Sequence, residues 1–180
     1  MREPAPPYAN EGPFALWHVS EDPSIEEFRP HRAATAAEEE PLVWAIDTRH
    51  LPMYWFPRDC PRGTFWAAPE TSGEDAECFL AGDRSRRVHA LQSDWVDRFR
   101  NARLTAYRLP QEPFEPHDVG GYWIAREAVS PIERVELDDL LARHVEAQIE
   151  LRVVPDLTRL WERVVASTLE YSGVRLANLR

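Results

Sequence analysis

Apolar residues along this chain come in short runs, and their spacing separates strands from helices. Strands are predicted at residues 14–19, 42–46, 64–67, 87–92, 104–109 and 149–154. Another covers 122–125 and continues the sheet at Ala128 and Val129 before Pro131. Ser24 suits the cap of a single helical turn ending at Phe28. Asp47 or Thr48 suits the cap of a brief helical segment over 50–56, which Pro52 limits to its first turn. Short helices are expected at 74–80 and, capped by Ser93 or Asp94, up to Arg100. Leu137, Leu140, Leu141, His144 and Val145 share one helical face. Pro155 and Asp156 open the last helix, whose apolar positions run from Leu157 through Leu160, Trp161, Val164 and Val165 to Leu169, and Gly173 is placed to stop it. This mixed order predicts an α+β domain over 13–180, a mixed sheet flanked by short helices. A proline-interrupted, flexible tail at 1–12 precedes it. The loop at 29–40 ends in Glu38-Glu39-Glu40, an acidic solvated face.

Composition narrows the choices of function. A length of 180 residues, 43% of them hydrophobic and seven of them tryptophan, suits one packed domain. The net charge of −10 repels nucleic acid and anionic lipid, so bulk nucleic-acid binding is not expected. All 21 basic residues are arginine. Without lysine there is no Schiff base and no Gly-Lys-Ser/Thr phosphate loop; anions must be met by guanidinium forks, backbone N–H groups or helix N-termini. Cys60 and Cys78 are too few for a disulfide scaffold and lack zinc spacing, and no metal is predicted. With neither a signal-peptide core nor an apolar run of membrane length, a cytoplasmic protein is expected. Trp95 and Trp161 suit a subunit interface as well as a core, so oligomeric state is left open.

Candidate chemistry gathers in two stretches, 16–22 and 54–62. His18 and Ser20 alternate on one strand and so point the same way, suiting a ribose or an oriented nucleophile, or else a core histidine beside a capping serine. Trp44, His50, Tyr54 and Trp55 are dense enough to stack on a flat ring, or simply to fill core volume. In Pro57-Arg58-Asp59-Cys60-Pro61-Arg62 two arginines flank a thiol and favour its thiolate, with His18 or His50 as the candidate base; the alternative is a rigid loop with an Arg58–Asp59 ion pair. Cys78 reads as a small core residue and His144 as core packing. His117-Asp118 is too little for a metal, and Arg84, Arg86 and Arg87 form a solvated basic patch. Glu127, late in the chain, suits a carboxylate that binds a sugar hydroxyl and stabilises an oxocarbenium ion, unless it only pairs with Arg126.

The segments Trp17-His18-Val19-Ser20-Glu21-Asp22-Pro23, Val43-Trp44-Ala45-Ile46-Asp47 and Phe56-Pro57-Arg58-Asp59-Cys60-Pro61-Arg62 resemble a bacterial domain family of unknown function. The resemblance extends through 123–131 and 171–176. More distantly, the chain is similar to the ADP-ribosyltransferase-like fold, which includes RNA 2′-phosphotransferases and DNA-modifying toxins. That likeness places His18 with Ser20, Trp44 and Tyr54, and Glu127 at the positions that bind NAD; it implies that His18 holds the adenosine-side ribose, that Tyr54 packs on nicotinamide, and that Glu127 binds the nicotinamide ribose. Trp44 stands where tyrosine is usual, Arg126 precedes the glutamate, and Pro52 breaks the expected helix.

On this reading the domain binds NAD or an ADP-ribose-type nucleotide and cleaves its N-glycosidic bond, with Arg29, Arg58 or Arg62 on the pyrophosphate. Two rivals stand beside it: a non-catalytic nucleotide- or peptide-binding protein, and a Cys60-dependent thiol enzyme.

Overall fold

The computed structural model describes residues 3–32, 40–118 and 120–179. Its larger sheet is built around β1 (Leu16–Ser20), which pairs antiparallel with β2 (Val43–Asp47) on one side. Later strands are β3 (Arg62–Trp66), β4 (Arg87–Gln92), β5 (Leu104–Leu109), β6 (Glu115–Pro116), β7 (Tyr122–Ala125), β8 (Glu133–Leu137), β9 (Glu150–Val154) and β10 (Glu170–Val174). The larger sheet has the order β6-β7-β2-β1-β5-β8 and is antiparallel throughout. The smaller one has the order β10-β3-β4-β9, in which only β4 and β9 run parallel. The expected α+β class holds, with two sheets in place of one.

Alternation along the strands divides the interior into layers. Leu16, Val43, Ala45, Tyr107 and Leu109 face one way and are covered by Phe28 and Val129. Ile46, Leu104, Ala106 and Leu137 face the other way, toward Leu91 of the smaller sheet, with Trp55, Phe56, Cys60 and Phe99 between. The smaller sheet's outer face carries Phe65, Val88 and Ala90 under α1 (Gly73–Leu80) and α4 (Leu157–Val165). The helices are capped as elementary hydrogen bonding requires. Ser72 Oγ accepts from the Asp75 N–H at the start of α1, and Asp156 accepts from the Arg159 N–H at the start of α4. In α3 (Leu140–Glu146) Asp139 accepts from Ala142, whereas α2 (Val96–Asn101) has no side-chain cap.

Several expectations are corrected. Residues 24–28 are not helical: Asp22 Oδ1 accepts from both the N–H and the hydroxyl of Ser24 in a local turn, and Phe28 bridges Val129. Pro52 does limit the segment after β2 to a 3-10 turn at Leu51–Tyr54, and the Asp47 carboxylate accepts its leading N–H from His50. Leu137 closes β8 instead of starting a helix, and Leu141 and Val145 are exposed. Gly173 does not stop α4 but lies inside β10. Near the N-terminal end, residues 5–9 contact the body of the domain. The Ala5 N–H donates to His50 Nε2 (3.1 Å), the Ala9 N–H to the Ala147 carbonyl (3.0 Å), and the Tyr8 ring meets Trp55 edge-on. Glu38 and Glu39 lie outside the described residues, while Glu40 is exposed and pairs with Arg126.

Candidate functional site

The inner face of the smaller sheet is polar. Arg62, Thr64 and Trp66 alternate on β3, and Arg87, His89 and Leu91 on β4; the register sets Arg62 opposite Leu91, Thr64 opposite His89 and Trp66 opposite Arg87. All six are buried, with Thr64, His89 and Leu91 fully so. Arg62 donates from Nε to the Met53 carbonyl (2.8 Å) and from Nη1 to the Cys60 carbonyl (3.0 Å), and its guanidinium lies over the rings of Tyr54 and Phe56. No carboxylate among the described residues bonds it. The nearby charge is that of a second cation, Arg175, and burial holds the Arg62 pKa below its ordinary value.

The neighbouring network has a fixed proton order. His144 Nδ1 is 2.7 Å from the Leu140 carbonyl, which only accepts, so the proton sits on Nδ1 and Nε2 is an acceptor. His89 Nδ1, 3.1 Å away, donates to that Nε2, and His89 Nε2 accepts from Arg87 Nε at 3.1 Å. Burial is the main cause holding both imidazoles neutral, taking His144 down to about 4 and His89 well below its usual value, with Arg87 adding to both. His50 donates from Nδ1 to Asp47 (2.7 Å) and accepts from Ala5 at Nε2.

At the rim, Glu3, His50, Met53, Trp66, Tyr122 and Ser172 line a recess of about 20 Å³, room for one water-sized group. The hydroxyls of Tyr54 and Tyr122 bond each other at 2.9 Å beside it. Burial and the neighbouring Tyr122 raise the Tyr54 pKa well above the ordinary phenol value, so Tyr54 is a neutral hydroxyl. A wider groove of about 470 Å³ crosses the start of α4, but its polar residues are exposed or engaged locally: Asp156 caps the helix and Arg163 meets Cys78 Sγ.

Residues 17–179 match the Family of unknown function (DUF6886). The chain belongs to this family. No curated protein and no solved structure matches it.

Within this member of DUF6886, the residues singled out in the sequence separate into groups. Trp44, Tyr54 and Arg62 come together: Trp44 packs edge-on against Tyr122, which bonds Tyr54, whose ring lies under Arg62. His18 and Ser20 face the opposite side of the larger sheet, because His18 shares a face with Leu16 and Trp44 shares one with Ile46. His18 Nδ1 donates to the Trp44 carbonyl (2.9 Å), its ring packs on Phe28, and burial lowers its pKa. Ser20 Oγ accepts from the Asp22 N–H (3.1 Å), capping the turn after β1. Arg58 is exposed, and its backbone N–H donates to Glu21 (3.1 Å). Glu127 is exposed after β7 with no hydrogen bond or ion pair among the described residues; its neighbour Arg126 pairs with Glu115 and Glu40 instead. Arg29, a candidate for the pyrophosphate, is exposed and pairs with Glu27.

The cysteines reverse their expected environments. Cys60 is buried, and burial outweighs Arg62 and Arg98 to push its thiol up to about 12. Cys78 is exposed, not core. The supposed basic patch is solvated only in part: Arg87 is buried, whereas Arg84 is exposed while donating to the Ala68 and Thr71 carbonyls. Arg87, His89, Trp66, Tyr122 and Arg175 were not singled out as site residues in the sequence. For Arg87 and His89 a signal was present as polar alternation on β4, which ordinarily marks a solvent face. Here that face points inward.

Proposed function

We propose that this protein binds a small anionic ligand, a phosphate- or carboxylate-bearing molecule of the nucleotide class, at the rim where Arg62, Tyr54, Tyr122 and Arg175 meet. The observation that carries this reading is Arg62: a guanidinium 2% exposed, held by two carbonyls, with no carboxylate bonded to it and a second arginine nearby. Taking such a charge out of water costs on the order of several kcal/mol, and a bound anion offsets that cost. Proteins concentrate uncompensated features of this kind at functional sites. The anionic end of a ligand would face Arg62 and Arg175. Its flat portion would rest across the rim, where Trp44 and Tyr122 present aromatic edges.

Cleavage of NAD asks for more, since His18, Ser20 and Glu127 would have to act on the Tyr54 side. With the larger sheet standing between His18 and Tyr54, binding without turnover is the favoured reading. Thermal unfolding with NAD, ADP-ribose, ADP and inorganic phosphate tests it, together with an assay for released nicotinamide. A ligand at a hundred times its dissociation constant adds about 2.7 kcal/mol, roughly 5–10 °C for a chain of this size. The expected outcome is a rise with the phosphate-bearing ligands and no nicotinamide release. No rise with any anion would refute the binding site, and release abolished by Glu127→Gln would restore the enzymatic reading.

A further inference from the structure

A stiff stretch of chain lies beside the rim. It reads Glu3-Pro4-Ala5-Pro6-Pro7, and each proline fixes its own φ and restricts the residue before it to extended backbone. Little freedom is therefore lost when the stretch docks. It is anchored at its centre: Ala5 is 1% exposed, and its N–H donates to His50 Nε2 (3.1 Å). The Asp47 carboxylate, 2.7 Å from His50 Nδ1, keeps the ring proton on that nitrogen and leaves Nε2 free to accept. Further along, the Tyr8 hydroxyl donates to the Thr48 carbonyl (3.2 Å) and the Ala9 N–H to the Ala147 carbonyl.

That anchoring sets Glu3, two residues before Ala5, in the wall of the recess with His50, Trp66, Tyr122 and Ser172. The recess and the Arg62 site share two residues: Met53, whose carbonyl accepts from Arg62, and Tyr122, whose hydroxyl bonds that of Tyr54. Glu3 is exposed and has no hydrogen bond or ion pair among the described residues, so its carboxylate holds nothing in place. Docking of the segment uses Ala5 and Tyr8 and has no need of an acid at position 3. A carboxylate at the edge of an anion site disfavours a second anion there by like-charge repulsion. We infer that residues 3–5 are an autoinhibitory strap: docked through the Ala5–His50 bond, they hold the Glu3 carboxylate at the rim, and an anionic ligand binds fully only when the strap lifts. This inference rests on the anion site proposed at Arg62 and Arg175 and adds its regulation.

Calorimetric titration of ADP into the full chain and its variants tests this. Glu3→Gln removes the charge from an exposed side chain and leaves the docking contacts intact. Ala5→Pro removes the donor to His50 and releases the strap. Glu162→Gln, at an exposed acid on α4, controls for the change in net charge. Glu3→Gln and Ala5→Pro are each expected to bind ADP about fivefold more tightly than wild type, the effect of removing one like charge at close range in water. Glu162→Gln should bind as wild type does. In the wild-type chain, saturating ADP should speed hydrogen exchange at the Ala5 amide as its bond to His50 opens. A gain missing from Glu3→Gln or from folded Ala5→Pro, or an equal gain in Glu162→Gln, overturns the strap and leaves the anion site standing. An Ala5 amide protected alike with and without ADP does the same. Absence of ADP binding by wild type and every variant overturns both.

Discussion

Cys60 is subject to two opposing influences, and their balance decides its chemistry. Arg62 and Arg98 favour the thiolate, but burial is the larger cause and raises the pKa to about 12. At pH 8 the folded protein should therefore give one fast-reacting thiol per chain with a disulfide reagent, Cys78, and a second only on unfolding; two fast thiols would contradict this placement. His89 and His144 make a pH prediction. Their folded pKa values lie below the unfolded value, so below about 6.5 the unfolded chain takes up protons that the folded chain refuses. Their contribution is complete above that pH and is lost as pH falls toward about 4, with His144 accounting for about 3 kcal/mol. Urea unfolding at pH 7.5 and pH 4.5 should show this loss, and His144→Gln should reduce it. By contrast, the exposed pairs of Arg126 with Glu115 and Glu40 carry little stability.

Element packing depends on two glycines that face each other across β3 and β10. Gly63 and Gly173 are register partners, and a Cβ at either would lie 2.7 Å from the Trp161 ring of α4. The helix can approach the sheet only because both positions are bare. Gly63→Ala should cost about 1–3 kcal/mol by overpacking, and Trp161→Leu should recover part of it in a double-mutant cycle. Additive effects would show that the ring does not rest on Gly63. The same contact explains why Gly173 misleads when read along the chain: glycine suits a helix stop as well as a close approach inside a strand. The expected strands on β1, β2, β4, β5, β7 and β9 follow from alternation or apolar runs that local sequence carries. β8 escapes because Glu133, Arg134 and Glu136 make it a polar edge, and β10 because of its Ser172-Gly173 pair. In the site, the aromatic density around Tyr54 was legible, and so was Arg62. Alternation shows which residues share a face but not which face turns inward, so Arg87 read as surface. Nor does it bring distant strands into register, which is why His18 seemed able to join Trp44.

At the scale of the whole molecule, a net charge of −10 surrounds an interior that holds buried arginines between two sheets. The outer field repels anions, while the low-dielectric inner layer strengthens attraction for one that reaches it. Selectivity should therefore lie in the anionic group of a ligand more than in its ring. Calorimetric titration of ADP and of adenosine into the wild-type chain and into Arg175→Ala, a change at a partly exposed position, tests this most directly. The account predicts measurable ADP binding, no adenosine binding, and a loss of about tenfold, roughly 1.4 kcal/mol, in the variant. Adenosine binding as tightly as ADP, or ADP binding the variant as tightly as the wild type, would contradict it.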